Sequence, residues 1–315
     1  MDDKLEVLLA LLPEMENSLG NESPELADYL TSLGLLLYHD SRFGEAEEYL
    51  ERALVIREHT LAVDHPEIGS SMNNLAMVLL AQSKLLEAEP HLVKALRIQE
   101  KVFGFEHPAL ATAVNNLAEV YRNTGKFKEA EPLYLRAIEI NKRYVGDNSL
   151  ETGELYYNLA RLYVLLGQVK QAEDSFKHVL TINENLNGKQ HPRIATILSD
   201  MSTLYQDSDT FDKAEILLRR ALSIREKLLS SDHPMVAESM NTLGCLYLQN
   251  EKYHRAEALF TRALEIWEDS LGAEHPKVIM VLENYCQLLR LTKRSSDADK
   301  LDQRLSKMRY KKSFT

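Results

Sequence analysis

An alanine recurs every 42 residues along the chain: Ala46, Ala88, Ala130, Ala172, Ala214, Ala256 and Ala298. Seven evenly spaced copies allow no insertion or deletion between them, so whatever one unit folds into, the chain builds seven times. A second marker stands 23 positions before each alanine. It is His65, His107, His191, His233 and His275, each followed by proline, with Ser23 (followed by Pro24) and Ser149 as degenerate anchors at the two remaining places.

Each unit reads as two helices. Proline suits the first helical position, where its missing N–H costs nothing, and the His or Ser before it can cap the exposed donors. Apolar residues then fall 7, 10, 11 and 14 positions after the anchor, as in Met72, Leu75, Ala76 and Leu79, which is helical spacing. Position 11 is always small (Gly34, Ala76, Ala118, Ala160, Ser202, Gly244, Cys286), so a second helix can approach closely. That second helix, B, carries the constant alanine and large residues such as Leu50, Tyr134 and Phe260. Closing glycines, Gly104, Gly146, Gly188 and Gly272, predict left-handed helix ends. Helix A should span about 16 residues and helix B about 19, or about 24 and 28 Å. Pro90 and Pro132 fall near the first turn of helix B and predict a mild irregularity.

The domain reading is an N-terminal half-repeat over 1–22, with Leu8, Leu11 and Leu12 on core positions and a kink at Pro13. The array follows over 23–294, and a capping helix with a basic tail over 295–315. Asp302 replaces a large apolar residue in that last helix, as a solvent-facing cap requires.

Composition narrows the function. A net charge of −11 disfavours nucleic acid and anionic membranes as partners, and the basic Lys307, Arg309, Lys311 and Lys312 read as a solvated end. Cys245 and Cys286 lack metal-site spacing and fit a reducing, cytoplasmic compartment. No apolar run approaches a membrane span. No phosphate loop, nucleophile elbow or paired-carboxylate motif is present, so a non-enzymatic protein without cofactor or metal is expected. The anchor histidines, one per repeat, read as caps and not as metal ligands. The acids one position after the constant alanine, Glu47 to Glu257, read as a solvated edge. Trp267 is read either as packing on the C-terminal cap or as an exposed contact.

The motifs "NNLA" at Asn73 and Asn115, "KEAEPLYLRAIEI" from Lys128, "RALSIREKLL" from Arg220 and the anchoring "HP" resemble tetratricopeptide repeats. The similarity is to the 42-residue kind found in kinesin light chains and nephrocystin-3-like proteins. It implies an all-α, right-handed superhelical solenoid that acts as an interaction scaffold or adaptor, with the A helices lining a concave groove. In the chaperone-binding variety of this fold a carboxylate is clamped by lysines. None occupies the groove positions here.

Asparagines sit in the middle of these A helices, opposite the hairpin core, although asparagine is a poor helix former. The candidate groove residues are Asn73, Asn74, Asn115, Asn116, Glu119, Arg122, Tyr157, Asn158, Arg161, Asp200, Asn241 and Asn284. Tyr156, beside Tyr157, is assigned to packing. Two readings of the amides stand together: a ladder bridging successive repeats, or contacts to the backbone of a bound peptide, since an amide both donates and accepts. Counting Asp28, Glu119, Glu154, Asp200, Asp207, Glu238 and Glu283 against Arg122, Arg161 and Arg290 gives an acidic face and a neutral or basic peptide as partner. A structural spacer or self-associating array is the alternative.

Overall fold

The computed structural model describes residues 2–205 and 208–312. Among them are fifteen α-helices and no strand. Their contacts divide the chain into two compact units, Met1–Leu162 and Tyr163–Thr315. The first holds α1 (Asp2–Leu19), α2 (Pro24–His39), α3 (Phe43–Thr60), α4 (Pro66–Ala81), α5 (Leu85–Phe103), α6 (Leu110–Asn123), α7 (Phe127–Tyr144) and most of α8 (Leu150–Leu165). The second holds α9 (Val169–Asn187), α10 (Pro192–Ser202), α11 (Phe211–Leu228), α12 (Pro234–Gln249), α13 (Tyr253–Leu271), α14 (Pro276–Leu291) and α15 (Ser295–Lys312). Within each unit the A helices α2, α4, α6, α10, α12 and α14 each pack on the B helix that follows and on the helix before.

Six of the seven anchors cap a helix, and all seven accept from a nearby backbone N–H. The Nδ1 atoms of His65, His107, His191, His233 and His275 accept from the backbone N–H two residues on, at 3.1–3.4 Å. The hydroxyls of Ser23 and Ser149 accept from the N–H three residues on, at 3.0 and 3.1 Å. An orphan N–H at six helix starts is thereby satisfied, while His107 closes the turn ahead of α6, whose N-cap is Ala109.

The seven constant alanines are at most 1% exposed. Small residues at position 11 meet the large side chain of helix B, and the fit is tight. A Cβ on Gly34 would lie 2.7 Å from Leu50 Cγ, and one on Gly244 2.7 Å from Phe260 Cε1.

Glycines closing helix B have positive φ, as the sequence predicts, but ψ is extended: 172° at Gly104, 160° at Gly188 and 153° at Gly272. That is the glycine-specific region and not the left-handed helical one. The left-handed residue lies instead in the A–B turn, 18 positions after the anchor. Gly125 and Gly167 fill it in two repeats, while Ser41, Ser83, Glu251 and Lys293 adopt φ of 59–61° without being glycine.

Pro13, Pro90 and Pro132 lie inside uninterrupted helices. The largest departure from the repeat falls in the fifth, where α10 stops after 11 residues at Ser202. Ser202 and Thr203 turn their hydroxyls onto the carbonyls of Ser199 and Asp200, both at 2.6 Å, and compete with the backbone that would extend the helix. None of the described helices is long and apolar enough to cross a membrane.

Candidate interaction face of the A helices

The amides of the A helices are hydrogen-bonded from one repeat to the next. Asn158 Nδ2 on α8 donates to Asn115 Oδ1 on α6 at 3.0 Å, and Asn116 Nδ2 on α6 donates to Asn73 Oδ1 on α4 at 3.1 Å. Asn115 Nδ2 approaches Asn116 Oδ1 at 3.5 Å and joins the two rungs. The second unit repeats the device: Asn284 Nδ2 on α14 donates to Asn241 Oδ1 on α12 at 3.1 Å, and to Cys245 Sγ at 3.3 Å. Each inter-repeat rung joins residues 43 apart, one period plus one. Asn74 makes no side-chain hydrogen bond among the described residues.

This ladder does not exhaust the amides. Each carries two N–H donors and two lone pairs, and a rung uses one donor or one acceptor of each partner. Asn116 and Asn241 are buried at 7% and 6% exposure, while Asn73, Asn74, Asn115, Asn158 and Asn284 are half-buried.

Arg122 is buried too. Its Nη2 donates to Glu119 at 3.3 Å and to Asn123 at 3.1 Å, but Nη1 has no partner. Nor does the fully buried Tyr134 hydroxyl, whose pKa burial pushes above the ordinary value. The two tyrosines exchange their expected roles. Tyr157 is 7% exposed, with the exposed Arg161 guanidinium 5.8 Å from its ring, whereas Tyr156 is half-buried and donates to Asp147 at 3.2 Å.

The acidic excess of the simple count is largely compensated, because it omitted Arg57, Lys277 and Arg309. Asp28 pairs with buried Arg57, Glu119 with Arg122, Glu238 with Lys277 and Glu283 with Arg309. Asp200 and Glu238 act on the buried Arg225 guanidinium, whose pKa burial lowers. Asp207 lies outside the described residues. Arg57 and Arg225 share a register 34 positions after the anchor, and each donates to the buried serine that faces it, Ser71 at 2.6 Å and Ser239 at 2.8 Å. Nothing in either residue's own helix announces this pairing. The signal is that arginine at this position coincides with serine 14 residues on.

Helix B has cross-repeat ties of its own. Glu47, Glu89 and Glu257, expected to be solvated, are ion-paired with Lys84, Lys126 and Arg294, each 37 residues on, and the Glu47 side chain is only 15% exposed. A second series, 36 apart, joins Arg52 to Glu16, Lys94 to Glu58, Arg136 to Glu100, Arg220 to Glu184 and Arg304 to Glu268. Two further expectations are corrected. Trp267 is not an exposed contact: it is fully buried, and its indole N–H donates to the Pro234 carbonyl at 3.1 Å. Asp302 is half-buried, accepting from Cys286 Sγ at 3.2 Å and pairing with Arg290.

A model of the tetratricopeptide repeat matches the chain over residues 25–101, 67–143, 109–185, 151–227, 193–266 and 246–311. Among solved structures, the nearly identical TPR-like repeats named for a kinesin light chain of Podospora anserina are 22% identical, with a TM-score of 0.59 over 67% of this chain and 99% of that one. BtubC (BKLC) from P. vanneervenii is 23% identical, with a TM-score of 0.59 over 75% and 93%. A Rap protein complexed with Competence and Sporulation Factor is 16% identical, with a TM-score of 0.59 over 96% and 79%. These likenesses show the fold. No curated protein matches the chain.

Proposed function

The chain belongs to the tetratricopeptide repeat family, a family of protein-interaction scaffolds, and from that premise we propose that its A helices bind an extended peptide segment of a partner protein without performing chemistry on it. The amide ladder of the first unit carries this reading. It fixes Asn73, Asn115, Asn116 and Asn158 in one track and leaves each with unused hydrogen-bonding capacity, the pairing a peptide backbone needs. Asn74 and Arg161 flank the track without being tied into it.

Arg122 Nη1 adds a donor with no acceptor, a buried group that a carbonyl could satisfy. Since Asp28, Glu119, Glu238 and Glu283 are ion-paired, a neutral segment suits the face best and a basic one next. The Rap structure, solved with a bound factor, is in keeping with ligand binding by this fold. In the second unit Asp200, Asn241 and Asn284 hold the corresponding places.

The test uses a displayed library of random peptides selected on the intact protein, followed by affinity measurement on Asn74→Ala and Arg161→Glu. Neither residue supports the ladder, so both variants should melt like the parent. Selected peptides should bind them at least about tenfold more weakly, the loss of roughly one hydrogen bond or ion pair. Equal binding to parent and variants, or a selection that enriches nothing, overturns the proposal.

A further inference from the structure

A cavity of about 550 Å³ opens inside the second unit, between the B helices α11 and α13. Its floor is Leu243 and Tyr247 of α12, its walls include Leu222, Leu259 and Ala258, and Arg219, Arg255 and Glu226 stand at its rim. Its lining shares no residue with the Asn241–Asn284 rung of the same unit.

Both of the usual ties are missing beside this cavity. Register would pair Glu215 with Lys252, 37 residues on, but Lys252 lies over the Phe211 ring at 4.5 Å. It would also pair Glu226 with Arg262, 36 residues on, but Arg262 is held by Asp232 and Glu265, and Glu226 has no ion pair among the described residues. Glu215 instead gives one oxygen, Oε1, to three donors: Tyr247 Oη at 2.8 Å, Arg255 at 3.3 Å and Arg219 at 3.4 Å.

Two guanidiniums therefore share a single carboxylate oxygen at one end of the cavity, with side chains 65% and 58% exposed. An unpaired carboxylate marks the other end. Arg219 and Glu226 are two turns apart on α11, about 10 Å, the reach of about three residues of extended chain. The rim is thus positive at one end and negative at the other, with an apolar trough between.

We propose that this trough is a second docking site, which takes a partner segment whose large apolar side chain lies between a carboxylate and a basic group. The carboxylate meets Arg219 and Arg255, the apolar side chain fills the space over Tyr247, Leu222 and Leu259, and the basic group meets Glu226. Because the site is in the other unit and on B helices, it stands or falls independently of the amide track.

The probes are two serine-rich synthetic peptides carrying Asp-Phe-Ser-Lys and its reversal Lys-Ser-Phe-Asp, followed by methyl NMR of the full chain labelled at leucine. The expected result is saturable shifts at Leu222, Leu243 and Leu259 with at least one of the two. Replacing Phe by Ser in the peptide should weaken binding at least about tenfold, the worth of burying one large side chain. Ala258→Trp, at an exposed helical position, should fill the trough and cost as much without lowering the melting temperature. Glu226→Lys should weaken binding through charge alone, and Asn74→Ala should leave it unchanged. Absence of these shifts, equal binding of the Ser peptide, or full affinity in a folded Ala258→Trp overturns the proposal.

Discussion

Asn116 and Asn74 occupy the same register one period apart, yet only Asn116 is built into the ladder, and the pair provides a matched test of what the amides contribute. In Asn116→Ala the 3.1 Å bond to Asn73 and the longer contact from Asn115 are both lost. Taking about 1 kcal/mol for the first, about half that for the second, and about 1 kcal/mol for leaving half-buried amide groups unpaired gives a loss of roughly 2.5 kcal/mol. Alanine returns about 0.6 kcal/mol as the better helix former. The net cost is about 2 kcal/mol.

Asn74→Ala loses no side-chain bond and should be neutral or stabilised by up to about 0.6 kcal/mol. At about 2–4 °C per kcal/mol for a chain of this size, the two variants should differ in melting temperature by roughly 5–10 °C, read by circular dichroism at 222 nm under identical conditions. Of the two readings the sequence leaves open, peptide contacts alone would leave the melting temperature of such alanine variants undiminished, whereas a ladder lowers it. Burial of Asn116 and its bond to Asn73 point to the lower value. If Asn74→Ala melts as low as Asn116→Ala, the ladder contributes nothing and the reasoning fails.

Ser83→Gly should raise the melting temperature, because serine there holds a φ of 61° at a cost of about 1 kcal/mol that glycine does not bear, and Gly125→Ser should lower it by a similar amount. Gly244→Ala should destabilise by about 1–3 kcal/mol despite alanine's higher helix propensity, since its Cβ would press on the Phe260 ring. A chemical denaturation midpoint unchanged or raised in Gly244→Ala would show that Phe260 can move aside. For Ser83→Gly, an unchanged or lowered midpoint would remove backbone strain as the explanation.

The hairpin plan was legible because it depends on intervals inside one repeat. The constant alanine, the small residue at position 11 and the capping anchors each act within their own unit, and all three could be read from spacing. What escaped depends on intervals between repeats. Glu47 looks solvated until Lys84, 37 residues on, is brought against it, and Asp28 looks like a free groove charge until Arg57 arrives from helix B. The signals were nevertheless present: 37 between acid and base, 36 in the second series, 43 between amides. Trp267 and the short α10 are different in kind. Trp267 breaks the pattern of its own position, and α10 ends where Ser and Thr hydroxyls capture the backbone, so neither could be read by comparison with the other repeats.

The ladder also bears on how such a face can bind. A mobile asparagine loses rotamer freedom when it grips a ligand, at about 0.5–1.5 kcal/mol for each side chain immobilised. Asn115, Asn116 and Asn158 have already met that cost in the folded chain, where each is held by a neighbour. Binding and stability are then linked through the same groups: a ligand that engages the track requires the ladder intact, so it must raise the melting temperature by mass action, by about 2.7 kcal/mol of stabilisation at a hundredfold excess over its dissociation constant. Asn116→Ala should therefore weaken such a ligand even where Asn116 does not touch it, because Asn73 and Asn115 lose the bonds that orient them. Asn74→Ala should weaken the ligand and leave the ladder alone.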